Sequence, residues 1–332
     1  MNEENNTLSE GKKKKRIQAV KATCFFVLLV GVLAALYFAT RPAGIPGANN
    51  TFRTYELSRM FSERDNSIDV VYVGHSSVYF GVSPMEIYGE HGIAGYDVSQ
   101  ALLLPWETYR CLKDMYKKQR PRLVMLEVDQ FFYDTPRYMF NSYAKRTVLD
   151  IFPFYESHLY WRDGFGKPAR NPYKAYVKHK KVVPFTGDTS FEPTDEVYKM
   201  HKRHKKFLRK IMKLCAENGS AVAFFEVPSK YKYTYAKHNC AARCADEYGV
   251  KFLDMNLAEH ADAIGIDWQT DTHDGGNHLN HFGAVKATRY LGGWIKANFE
   301  LPDRRGDGQY SDWEDDLKKY REYVADCTPA EE

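Results

Sequence analysis

Apolar and polar positions along this 332-residue chain fall into three patterns. The first is an uninterrupted apolar stretch, residues 22–40 (ATCFFVLLVGVLAALYFAT), without a single charge. As a helix rising about 1.5 Å per residue it would be about 28 Å long, close to the hydrocarbon thickness of a bilayer. The second pattern is a set of short β-branched or aromatic runs without alternation: Val70–Val73 (VVYV), 122–129 (RLVMLEVD), 220–227 (SAVAFFEV) and 250–255 (VKFLDM). Runs like these suit strands buried on both faces of a parallel sheet covered by helices. GIAGYDVS, residues 92–99, predicts one further short strand. The third pattern is helical spacing. It predicts a short amphipathic helix over Tyr55–Phe61, a helix entered through Ser83-Pro84, and one over 105–119 with proline in its first turn and bases at its end. A long helix is predicted over 194–217, with Val197, Met200, Phe207, Leu208, Ile211 and Leu214 on one face. Further helices follow over 233–248, from about Gly283, and beyond Leu301, where Trp313, Leu317, Tyr320 and Val324 are spaced to lie back on the domain unless the tail is mobile. Strands and helices in series imply right-handed crossovers and a parallel α/β sheet.

One region breaks the alternation. Asp129 to Glu192 is rich in aromatics and bases (FFYDTPRYMF, FPFYESHLYW, YKAYVKHKK) with little periodicity. It reads as an insertion capping the active-site edge, where stacked rings and cations suit sugars or anionic polymers; an ordinary half-buried loop is the alternative. The division expected is a basic tail over 1–21, an anchor over 22–40, a linker over 41–52, a domain over 53–301 with its insertion at about 130–192, and a helical tail over 302–332.

Charge sharpens the reading of the N-terminus. The formal net charge of +4 comes from the run Lys12-Lys13-Lys14-Lys15-Arg16, and the near-neutral remainder argues against a nucleic-acid partner. A basic run ahead of the apolar stretch places the N-terminus in the cytoplasm and everything after Arg41 outside. A cleaved signal peptide is the alternative, but no small-x-small site follows the stretch. The six cysteines, Cys24, Cys111, Cys215, Cys240, Cys244 and Cys327, show no framework spacing. Cys240 and Cys244 are four apart on a predicted helix, a poor disulfide geometry, and a zinc site with His238 lacks a second ligand pair.

The candidate chemistry lies at the two ends of the domain. Gly74-His75-Ser76-Ser77 follows the first strand directly, where a glycine permits a sharp turn that lifts the next side chains out of the sheet. In the Gly-rich loop of DTHDGGNHLNHFGAVK, Asp274 and His278 stand close together. Acyl chemistry with serine needs a histidine to take the hydroxyl proton and a carboxylate to orient that histidine. Ser99-Gln100 and Asp129 follow two other strands and would reach the same sheet edge, where ligands of open α/β sheets bind.

VVYVGHSS with GVSP, then LVMLEVDQFF, FFEVPS and DGGNHLNHFGAVKATRYL, resemble the SGNH/GDSL hydrolase superfamily over about Asp69 to Leu301. Within it the chain is most similar to membrane-anchored bacterial proteins that act on envelope polymers. These include the accessory proteins of polysaccharide O-acetylation and the SGNH-like protein of teichoic-acid D-alanylation. The resemblance implies a three-layer, flavodoxin-like α/β fold of about five parallel strands behind one transmembrane helix. It implies Ser76 as nucleophile, His278 as general base and Asp274 as its orienter, with no metal or organic cofactor. It implies an oxyanion hole made from the Ser76 backbone N–H, a Gly and an Asn. Here Ser99-Gln100 stands at the Gly block and no Asn stands at LEVDQ, so either Gln100 donates or the hole is weaker. The usual Asp-x-x-His is Asp-x-x-x-His, with Asp271 as reserve orienter and His273, His281 and His75 as rival histidines. Asp129, Asn280, and His158 with Trp161 in a His-x-x-Trp element are candidate substrate contacts.

The activity implied is extracytoplasmic O-acyl transfer or ester hydrolysis, with acetyl as the expected group, on an envelope glycan or teichoic acid. A membrane-bound O-acyltransferase is the implied partner. Two rivals stand beside it: a non-catalytic polysaccharide-binding or assembly protein with a degenerate site, and a D-alanyl transfer factor.

Overall fold

The computed structural model describes residues 2–40, 59–151, 170–188, 191–231 and 233–327. Helix α1 (Asn2–Thr40) contains a segment, Gly11–Leu36, long and apolar enough to cross a membrane, with none of it buried against the rest of the chain. That is consistent with membrane association. The linker and most of the helix expected at Tyr55–Phe61 lie outside the described residues.

Five strands, β1 (Val70–Val73), β2 (Gly95–Asp97), β3 (Leu123–Glu127), β4 (Ala221–Glu226) and β5 (Lys251–Asp254), form one parallel sheet in the order β2-β1-β3-β4-β5. Val71 lies opposite Tyr96 on one side and Val124 on the other; Leu126 in turn lies opposite Phe224. The continuous apolar runs are explained by burial, since every residue of β1, β2 and β3 is buried. The chain passes from β1 to β2 on one side and then crosses to β3 on the other. The order therefore reverses at β1, the switch point outside whose carboxyl end such sheets bind ligands.

Between β1 and β2 run α2 (Ser76–Gly81) and α3 (Pro84–His91). Ser83 is the N-cap of α3 and Pro84 its first residue, but the Ser83 side chain makes no capping bond. Helix α4 (Pro105–Met115) precedes β3 and packs with α6 (Lys202–Glu217), which buries Phe207, Leu208, Ile211 and Cys215. α6 begins later than the spacing predicts. Residues 194–201, including Val197 and Met200, are non-helical, and His201 at their end caps the helix through Nδ1. The region expected to be irregular contains a 16-residue helix, α5 (Pro136–Ile151).

α7 (Tyr235–Tyr248) lies against β5, and the short α8 (Ala258–Ile264) contacts α9 (His281–Asn298). α9 packs on α2 and α3, and the C-terminal α10 (Ser311–Ala325) lies back on α3. Trp313, Leu317 and Tyr320 of α10 are buried, and the Trp313 ring sits 5.4 Å from that of Tyr88. The described cysteines are all free thiols, with Cys240 and Cys244 buried on α7, and His238 pairs with Asp254 at 2.7 Å instead of joining them.

Candidate active site

β1 stops at Val73, and three residues later Ser76 opens α2. Gly74 is needed here for closeness rather than for an unusual backbone angle. Its φ is not positive, but a Cβ at this position would lie 2.5 Å from Cβ of Glu127 on β3. Glu127, fully buried, holds the turn from both sides: it accepts from the His75 main chain at 3.3 Å and from Ser77 Oγ at 3.0 Å. As the first residue of its helix, Ser76 has a main-chain N–H with no carbonyl one turn back inside α2 to bond.

The second half of the site comes from the loop over 271–280, closed by a bridge between Thr272 and Leu279. Thr272 Oγ1 donates to the His278 carbonyl at 2.9 Å and accepts from Gly276 N at 2.7 Å. Gly275 and Gly276 take φ of 77° and 97°, angles that only glycine adopts at little cost, and so the loop accommodates one residue more than Asp-x-x-His. Asn280 then caps α9, its Oδ1 accepting from Phe282 N and Gly283 N while its amide donates to Thr270 O at 2.6 Å. Its side chain is thus consumed by the loop, not presented to a substrate.

Across 202 residues of chain the two halves meet. Ser76 Oγ lies 2.7 Å from His278 Nε2, and His278 Nδ1 lies 2.5 Å from Asp274 Oδ2. Asp274 Oδ1 also accepts the His278 main-chain N–H at 2.8 Å, fixing the carboxylate on two donors. Burial raises the Asp274 pKa, but the bonds and charge of His278 win and hold it below the usual carboxylate range.

The other named residues fall elsewhere. Asp271 pairs with Lys286 at 2.7 Å and accepts from Asp267 N, so it does not orient His278. His273 bonds Leu279 O through Nδ1, and its ring stacks between those of His179 and His278, at 4.0 and 5.6 Å. His281 meets Tyr176 OH inside the fold. His158 and Trp161 lie outside the described residues. His273, Asp274 and His278 each bring a ligand atom within 4.8 Å of the others, a spacing at which a divalent cation would disturb the His278–Asp274 pair.

Ser76 and His278 open onto a cavity of about 150 Å³ lined also by His75, Asp129, Tyr133, Glu226, Tyr233 and Asn277. At its rim Leu102 takes φ of 54°, an uncommon left-handed conformation for a non-glycine residue, and its carbonyl is gripped by Tyr138 OH at 2.6 Å. The cavity floor is ionisable. His75 bonds Leu103 O at 2.9 Å and approaches Asp129 at 3.7 Å; Lys237 holds Asp129 at 2.8 Å. Burial disfavours charge on Asp129, but His75 and Lys237 hold its pKa down at about 2. Burial likewise opposes charge on His75, and Glu127 and Asp129 overcome it, raising its pKa. Glu226 is pushed the other way. Its own burial, then the charges of Glu127, Asp129 and Asp254, carry its pKa well above the carboxylate range, which favours its protonated form. One of its oxygens accepts the Asp129 main-chain N–H at 3.0 Å.

The expected second oxyanion donor is not available from the main chain. Ser99 N donates to Asp97 Oδ1 at 2.6 Å and Gln100 N to the Gly74 carbonyl at 3.1 Å. Glu127, Glu226 and Lys237 were not among the residues singled out from sequence, yet a signal exists. An acid closes each of three apolar strands, as Glu127, Glu226 and Asp254, where charge is expensive. A strap over 170–188, inside the supposed cap, ties the site together. Val177 N bonds Tyr79 O, His281 N bonds His179 O, and Val183 N bonds Thr272 O.

No protein-family model matches the chain, and no curated protein matches it. Among solved structures 21 chains match. One is a candidate acylhydrolase from Bacteroides fragilis NCTC 9343, 11% identical, covering 75% of this chain and 97% of its own, with a TM-score of 0.39.

Proposed function

We propose that this chain is a serine-dependent acyl-transfer enzyme of SGNH type, anchored by α1 and acting outside the membrane on a cell-envelope polysaccharide. The observation that carries the reading is the continuous Ser76–His278–Asp274 relay. Asp274 keeps the proton of His278 on Nδ1, leaving Nε2 free to accept from Ser76 Oγ. As Oγ attacks the acyl carbonyl carbon, its proton passes to Nε2 and negative charge gathers on the carbonyl oxygen. The Ser76 main-chain N–H at the start of α2 is one donor for that oxygen. The neutral Glu226 carboxyl, on the same cavity, replaces the missing Asn as the second, much as a protonated acid serves other oxyanion sites. Collapse breaks the ester bond, and His278 returns the proton to the departing alkoxide. A glycan hydroxyl then attacks the acyl-serine by the reverse path, giving O-acylation, whereas water in its place gives hydrolysis. Acetyl fits a cavity of about 150 Å³, and a membrane-bound O-acyltransferase would supply it across the bilayer.

The spent N–H groups of Ser99 and Gln100 favour one rival, a glycan-binding protein with a disabled site. Exposure to p-nitrophenyl acetate followed by mass spectrometry decides between them. An acetylated Ser76 peptide, absent in His278→Ala, supports the enzyme, and an unmodified Ser76 supports the rival.

A further inference from the structure

A second cavity adjoins the first. Its volume is about 430 Å³, within the range of small-molecule sites, and the two share Ser229 and Tyr233 as a common wall. One face of the Tyr233 ring is covered by Phe191, stacked at 5.9 Å and 11°, and the half-buried Trp268 adds a further flat aromatic ring to the lining. Two polar groups at its edge are uncommitted. Asp262 is exposed and forms no ion pair among the described residues, and Thr234, the N-cap of α7, makes no side-chain capping bond. Lys230 places its ammonium group over one face of the Trp268 ring, 5.4 Å from the centroid, so a ligand would stack on the opposite face.

This combination selects a class of ligand. An acyl chain would leave Asp262 and Lys230 without a use, and a phosphate that met Lys230 would be opposed by Asp262. A pyranose ring has an apolar C–H face for the indole and a rim of hydroxyls for a carboxylate and a threonine. The cavity is also mechanically joined to the catalytic loop. Phe185 N bonds Trp268 O at 2.9 Å, and Lys230 N bonds Gly276 O at 2.8 Å, next to the glycines that set Asp274 against His278. A ring held here would therefore be registered against His278.

Resting on the acyl-transfer reading above, we propose that this cavity binds one pyranose ring of the glycan, face to face with Trp268 and hydrogen-bonded to Asp262 and Thr234, so that a neighbouring hydroxyl reaches Ser76. The test uses the full chain in detergent micelles and saturation-transfer NMR with cellotetraose, chitotetraose and a mannotetraose. At least one should bind. Trp268→Ala should weaken it about tenfold or more, Trp268→Phe should recover part of the loss, and Asp262→Ala, an exposed change that spares the fold, should also weaken it. Circular dichroism checks that each variant is folded. Failure of all three sugars to bind at millimolar concentration would overturn the proposal, as would binding unchanged in a folded Trp268→Ala. Sugar binding that needs Trp268 in a protein whose Ser76 never reacts would keep the subsite and remove the acyl-transfer reading. A reactive Ser76 without any sugar binding would do the opposite.

Discussion

Two groups of buried charges, built from the same residue types, sit in different parts of this molecule. Under the C-terminal helix, Lys174 is fully buried and bonds Glu63 and Asp316, each at 2.8 Å, while its ammonium lies 4.1 Å over the Trp313 ring. Arg170 completes the group through Asp312 and Asp316. Here cations meet acids at every point, and the result is a clamp that fastens α10 to the domain. Beside Ser76 the ratio of acids to bases is the same, Glu127, Asp129 and Glu226 against His75 and Lys237, but the cations converge on Asp129, Glu127 and Glu226 form no ion pair among the described residues, and three of the five line a cavity. Burial raises the pKa of both unpaired acids, and Glu226, which also faces the charges of Glu127, Asp129 and Asp254, is pushed well above the carboxylate range. A buried charge group closed by opposite charges reports on folding, whereas one that must hold a proton beside a cavity reports on chemistry.

The comparison can be broken first by removing the relay. Asp274→Asn should cut turnover of a small ester about 10⁴-fold, by leaving His278 in the wrong tautomer, while the thermal midpoint stays where it was. Lys174→Met should do the reverse. It leaves the buried Glu63 and Asp316 to share Arg170 and should cost about 3 kcal/mol in denaturant unfolding, with Glu63→Gln in the same chain restoring part of it. A smaller effect separates the two roles of an acid. Glu226→Ala should lower kcat about 10²- to 10³-fold, and Glu226→Gln, which keeps an acceptor for Asp129 N–H and a donor for the cavity, should retain most of the rate.

The smallest effects are in pH. An unfolded Glu226 would ionise near about 4.3, but the folded protein keeps its proton well above that. Folding stability should therefore fall as pH rises above about 4, and Glu226→Gln should remove that share of the decline. Asp129 runs the other way. Its pKa of about 2 lies below the unfolded value, so its contribution is complete above about pH 4 and is lost as pH falls through 2. Asp129→Asn should flatten that acid limb in thermal melts.

Much of the fold was legible because its signals are local. Unalternating runs such as Val70–Val73 can hardly be satisfied except between two layers of helices, and their order follows from short right-handed crossovers. The Ser76, Asp274 and His278 constellation was legible as residue types at the ends of such elements, although its distances were not. What stayed hidden depends on contacts across the chain. Gly74 reads as a turn residue, but its neighbour Glu127 is more than 50 residues away in sequence. Gln100 reads as a donor, and only the Gly74 carbonyl opposite it shows that its N–H is used. The strap over 170–188 has no periodicity because it is held by scattered bonds to separate parts of the fold, among them Tyr79, Asp97, Thr272 and His281. Helix α5 was hidden for a related reason: its aromatic and basic residues carry too weak an apolar stripe to stand out.

The most direct test is fluorophosphonate labelling of the detergent-solubilised full chain, with Ser76→Ala and His278→Ala alongside and circular dichroism to show that all three fold. The account predicts that wild type is labelled at Ser76 and that both variants stay unlabelled. A folded wild type that takes no label, or a Ser76→Ala chain labelled as strongly as wild type, would contradict it.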